Sequence, residues 1–189
     1  MKPIATTRSI TGIPTGRLAV WWLMGSEIVI FGGLLASYLM QRIGHPEFGE
    51  YASHTNTTFG AINTFILLSS SLSAVLAHHA AEQGDGKKAA KMLWVTILGA
   101  LLFLTVKSVE WYGEITHGFV ISKNMFWNFY YSAAGIHGAH VIVGAIIMMF
   151  IAKDAAKNKE LQRVEYVGLY WHFVDLVWIF LFPLLYIAK

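Results

Sequence analysis

Residues 167–188 read VGLYWHFVDLVWIFLFPLLYIA. The stretch holds no Lys, Arg or Glu, and its only strongly polar side chains are His172 and Asp175. At ~1.5 Å per helical residue it is long enough to cross a hydrocarbon core, which takes about 20 residues. An apolar face that runs all the way round a helix belongs in a large core or in lipid. Working outward from it, four more stretches of the same kind appear, from Leu18 to Met40, Phe59 to Ala81, Met92 to Val109 and Trp127 to Ala152. The reading is an all-α, polytopic membrane helix bundle with five transmembrane helices, forming a single membrane domain over residues 1–189. Small residues inside the spans (Gly25, Gly32, Gly33, Gly99, Gly135, Gly138, Gly144) let membrane helices approach closely. Pro183 lies near the end of the last span, where a kink is tolerated.

Composition agrees. Of 189 residues, 56% are hydrophobic and 13% charged, about half the charged fraction of a soluble domain. The absence of cysteine excludes disulfide scaffolds, thiolate metal sites and cysteine nucleophiles. A net charge of +3 would suit nucleic acid only if the basic residues formed one patch. They alternate by loop instead. Ten Lys and Arg fall before the first span, after the second and after the fourth, and three fall in the other segments. By the positive-inside rule the N-terminus is cytoplasmic and the C-terminus outside. The first span is too long for a signal-peptide core and carries Glu27, so it reads as an uncleaved helix.

Ionisable residues inside spans cost at least ~2.5 kcal/mol each and demand a partner or a purpose. Glu27 is a buried carboxyl with no basic residue in its own helix core. His137 and His140 sit at i, i+3 on one helix face, as do His172 and Asp175, with Glu165 seven residues before His172. These five, His137, His140, Glu165, His172 and Asp175, read as an inter-helix polar network. A metal site would need further ligands, and two imidazoles pointing the same way cannot take opposite axial positions on a haem iron, so neither metal nor catalytic residue is assigned. Lys107 and Glu110 read as a mutually paired helix end whose lysine snorkels. Arg17 and Lys153, at the cytoplasmic edge, are candidates for lipid headgroups. Trp21, Trp22, Trp127, Tyr130, Tyr131, Tyr166 and Tyr170 read as interfacial belts.

These motifs resemble a known family. Tyr170-Trp171-His172-Phe173-Val174-Asp175-Leu176-Val177-Trp178 is similar to the last-helix signature of subunit III of haem-copper (cytochrome c) oxidases. Phe129-Tyr130 followed by Gly135-Ile136-His137-Gly138-Ala139-His140-Val141 resembles that family's preceding helix. Ser26-Glu27 with Arg17 upstream, Asn63-Thr64, Ser69-Ser70, His78-His79 and Gly84-Asp85 follow in family order, so the likeness runs from about Arg17 to Tyr186. Five spans correspond to the short form, without the first two helices of the seven-helix subunit. Departures are local: Lys107 stands where Gln is common, Trp111 where Tyr is common, Ala134 for Thr, Ile136 for Phe, and Ala36 for an aromatic.

The resemblance implies a non-catalytic subunit with no cofactor of its own, the haem and copper lying in a partner subunit. It implies direct packing on oxidase subunit I, company with subunit II and other complex members, bound phospholipid, no nucleic acid, and residence in a bacterial or archaeal cytoplasmic (inner) membrane. Its role would be to support oxygen reduction and proton pumping by stabilising the catalytic subunit and its proton entry. The same fold also serves accessory subunits of quinol oxidases and nitric oxide reductases. A proton-coupled transporter using Glu27 and Asp175 as a relay is the distant rival. It lacks the repeats and broken helices that such transporters carry.

Overall fold

The computed structural model describes residues 14–188. Six helices follow one another: α1 (Thr15–Gly44), the short α2 (Phe48–Ser53), α3 (Thr57–Glu82), α4 (Gly86–Thr116), α5 (Met125–Ala155) and α6 (Gln162–Phe182), closed by a π-helical turn (Pro183–Ile187). No β-strand occurs among the described residues. Five helices are long and apolar enough to cross a membrane, and they coincide in order with the five stretches read from sequence, the last helical segment ending at Ile187.

The helices outrun the apolar windows because their ends are capped. Asn56 accepts from Thr58 N and Phe59 N, Asp85 from Lys88 N and Asn124 from Trp127 N, each satisfying donors that a helix start leaves free. The α3–α4 turn closes at Gly84, whose φ of +78° suits glycine. Next to it Gly86 packs so tightly that a Cβ would collide with the Ala155 carbonyl. At the other end of the bundle Pro183 has no N–H to give the helix, and the chain relaxes into a wider turn. The carbonyls there find side-chain donors: Tyr38 Oη to Leu184 O at 3.0 Å, Thr55 Oγ1 to Leu185 O at 3.4 Å and Thr57 Oγ1 to Tyr186 O at 3.3 Å.

Neighbouring helices run antiparallel, with α3 against α4, α4 against α5 and α5 against α6, and α6 packs on α3 and α1 as well. Helix α6 is therefore the axis of the bundle, with 56% of its apolar window buried, against 6% for α1. Close approach is concentrated at α3–α4, where a Cβ on Gly99 would lie 2.6 Å from Ser70 Cβ. Gly25, Gly32 and Gly33 of α1 have open space beside them instead. The basic loops meet at one end, joined by Gly86 N to Asn158 Oδ1 at 2.9 Å and Arg17 to Glu165 at 2.5 Å. Five residues expected in an interfacial belt are buried instead, Trp127 and Tyr130 fully and Tyr131, Tyr166 and Tyr170 nearly so, while Trp21 and Trp22 are exposed.

Candidate functional site

Three titratable side chains of α4, Lys107, Glu110 and Glu114, project into the bundle at the end opposite the basic loops and are all buried. The spacing 107, 110, 114 puts them on one helix stripe. Lys107 Nζ donates to Glu110 Oε2 at 3.0 Å, to Tyr130 Oη of α5 at 2.8 Å and to Tyr186 Oη of the last turn. Tyr130 Oη lies 2.9 Å from Glu114 Oε1, 3.2 Å from Glu110 Oε1 and 3.1 Å from Tyr186 Oη. Lys107 also sits over the Tyr130 ring at 4.5 Å, a further favourable setting for a cation. Lys107 and Glu110 thus pair, but not at a helix end. The helix continues to Thr116, and Tyr130 and Tyr186 close over the pair so that Lys107 cannot snorkel. Sequence reasoning missed Glu114, Tyr186 and the inward role of Tyr130. The i, i+4 step from Glu110 to Glu114 was the available signal.

Glu27 has a partner from another helix. Its Oε2 lies 3.1 Å from His140 Nε2, at ion-pair distance though without hydrogen-bond alignment. The other ring nitrogen faces Ile136 O at 2.8 Å, and Phe31 packs edge-on against the ring. The contact borders a largely apolar groove of about 200 Å³ lined by Leu23, Ala139, Val143, Ile147 and Tyr170. A neighbouring groove of about 210 Å³ lies between α1 and α6, lined by Ile28, Phe31, Leu35, Phe173 and Phe180 among others.

The five residues expected to form one inter-helix network fall in separate places. His140 meets Glu27. His137 is fully buried between the rings of Phe103 and Trp178, with neither nitrogen hydrogen bonded. Three residues apart on a helix is about 60° of rotation, enough here to send the two rings to different interfaces. His172 Nδ1 meets Ser71 Oγ of α3 at 2.6 Å. Asp175, buried one turn further on, has no hydrogen bond to either carboxyl oxygen and does not reach His172. Glu165 pairs with Arg17, which remains partly exposed at the basic end, and Lys153 is exposed near the Phe150 ring. Among the described residues no three His, Asp or Glu converge as a metal site would require.

Comparison with known proteins gives this arrangement a family. The family model described as cytochrome c oxidase subunit III matches residues 11–189. Cytochrome c oxidase subunit 3 of Corynebacterium diphtheriae is 33% identical over 173 residues, covering 88% of this chain and 84% of its own. The proteins of the same name from Thermostichus vulcanus (32% over 167 residues, 86% and 82% covered) and Bacillus subtilis (32% over 176 residues, 90% and 84%) are similarly related. A match across nearly the whole length, with the five membrane helices in place, means that the chain belongs to the cytochrome c oxidase subunit III family.

Proposed function

We propose that this protein is the non-catalytic subunit III of a respiratory haem-copper terminal oxidase in a bacterial cytoplasmic membrane, packed directly on the catalytic subunit I. The observation that carries the reading is the family match over residues 11–189. In this reading the haem and copper are held by the partner and this chain performs no redox step. The N-terminus and the end that collects ten Lys and Arg from three segments face the cytoplasm, as the positive-inside rule requires.

Within that assignment the chain stabilises subunit I, shields its cytoplasmic proton entry and holds phospholipid. The two grooves beside α1 support the lipid role. Both are largely apolar, of a size to seat part of an acyl chain, and one is bordered by the Glu27–His140 contact. Lys153, exposed at the basic end of α5, is placed for a lipid phosphate. The exposed apolar side of α1, including Trp22, Val29, Met40 and Ile43, is surface left for lipid or a neighbouring subunit.

Purification through a tag on this chain in mild detergent, followed by identification of the co-purifying polypeptides and their haems, tests the proposal. A haem- and copper-bearing oxidase subunit is expected. Recovery with a nitric oxide reductase, or with a quinol oxidase, would move the chain to that complex. Recovery with no haem protein would overturn the assignment.

A further inference from the structure

We propose that Glu114 is a proton-exchanging carboxyl, and that the buried cluster around Lys107 takes up and releases one proton through a cavity at the end of the bundle opposite the basic loops. With all three groups ionised, Lys107 supplies one positive charge and Glu110 and Glu114 two negative ones, leaving one uncompensated negative charge in a buried site. One bound proton removes that excess.

The three N–H of Lys107 are directed to Glu110 Oε2, Tyr130 Oη and Tyr186 Oη, so none reaches Glu114. Tyr130 has a single hydroxyl hydrogen for Glu114 Oε1, Glu110 Oε1 and Tyr186 Oη. Tyr131 Oη lies 3.4 Å from Glu114 Oε2, but its hydrogen is better placed on the Phe119 carbonyl, 2.7 Å away. Glu114 Oε2 is thus buried without a dedicated hydrogen, and it is the position at which an added proton completes the set. A proton arriving there turns Glu114 into a neutral acid, and the Lys107–Glu110 pair is left balanced.

Glu110 and Glu114 line a cavity of about 380 Å³ together with His54, Asn56, Phe59, Val109, Gly113, His117 and Phe119. His54 and His117 are exposed at its rim. His117 Nδ1 donates to Gly113 O at 2.6 Å, which leaves Nε2 to accept or give a proton. The charged and titratable groups facing Glu114 are therefore Lys107 and Glu110 from α4, His117 just past its end, Tyr130 and Tyr131 from α5, Tyr186 from the last turn, and His54 from the α2–α3 connection. Lys123 stands beyond Phe119, 4.1 Å above its ring. Inward, the aromatic layer of Phe103, His137 and Trp178 stands behind the cluster, so it is a reservoir open to one end and not a through path.

Infrared difference spectra of the full purified chain, cycled between acid and alkaline buffer, test this. A carboxylic C=O band that appears on acidification, is lost in Glu114→Gln, persists in Glu165→Gln and shifts promptly in D2O supports the proposal. Replacing His54 and His117 together by Gln should slow the D2O shift by roughly tenfold or more. A band unchanged in Glu114→Gln, or no titrating band in a wild-type chain shown to be folded, overturns it. Should Glu114→Gln fail to fold, Tyr130→Phe serves in its place. With the proton on Oε2 the C=O oxygen is Oε1, so loss of the Tyr130 hydroxyl 2.9 Å from it must displace the C=O frequency, and an undisplaced band overturns the proposal.

Discussion

His140 Nε2 stands 3.1 Å from Glu27 Oε2, while the same ring's Nδ1 lies 2.8 Å from the carbonyl of Ile136. A carbonyl only accepts, so Nδ1 carries a hydrogen, and the carboxyl and Nε2 are left to divide any remaining proton between them. The contact joins α1 to α5 inside an apolar groove and is part of the little that holds α1 to the rest.

Glu27→Ala is accordingly expected to leave haem content and subunit assembly of the oxidase intact while changing how fast activity decays during turnover. Activity followed against turnover number, with haem spectra of the purified complex, checks this. Loss of haem in the variant would count against a peripheral role for Glu27.

Glycines of the bundle divide into two kinds, and substitution separates them. Gly99→Ala puts a methyl 2.6 Å from Ser70 Cβ at the tightest part of the α3–α4 contact and is expected to cost about 1–3 kcal/mol. Gly33→Ala meets nothing within 4 Å and leaves the stability of the isolated chain unchanged. Thermal unfolding of both variants in the same detergent makes the comparison.

That division was hidden in the sequence, where Gly33 and Gly99 look alike inside apolar runs. Hydropathy reports which segments avoid water, and it placed all five spans because lipid and protein interior are equally apolar. It cannot report which side of a helix meets another helix. Trp127 and Tyr130 therefore looked like an interfacial belt until α4 and the last turn were seen packed around them. Glu114 lies outside the apolar window from Met92 to Val109, so hydropathy says nothing of its burial. Its burial depends on Tyr130 and Tyr131, which reach it from another helix, and on Tyr186 closing the cluster. Pairwise spacing on one helix was legible, as Lys107 with Glu110 illustrates, whereas the partners of Glu27 and Glu165 lie more than a hundred residues away in sequence.

Arg17 and Glu165 make a partly exposed ion pair at 2.5 Å, with side chains 45% and 25% accessible. Exposed pairs contribute no more than about 1 kcal/mol and weaken with salt. Arg17→Ala should lower the unfolding temperature only slightly at low ionic strength and not at all in high salt. A large, salt-independent loss would mean that α1 is anchored chiefly through this pair.

His172 and Ser71 fasten α6 to α3 through a 2.6 Å contact. His172→Leu removes that contact but leaves the half-buried serine hydroxyl with Asp175 beside it, at an expected cost of about 0.5–1.5 kcal/mol. Ser71→Ala should remove much of the same stabilisation, and the double variant should fall short of the sum of the two. Denaturation of the four proteins measures the coupling.

Lys107 is the strongest single test of the buried cluster. Lys107→Met removes the cation bonded to Glu110 and takes donors from Tyr130 and Tyr186 at the same time. Breaking a buried pair from one side costs about 3–5 kcal/mol, because the abandoned charge stays buried. The double variant Lys107→Met with Glu110→Met replaces both members by side chains of similar bulk, so it should recover a large part of that loss. Greater stability of the double variant than of Lys107→Met alone, measured by thermal unfolding in one detergent, is the expected outcome. Equal losses would mean that Glu110 is hydrated from the cavity beside it and needs no lysine.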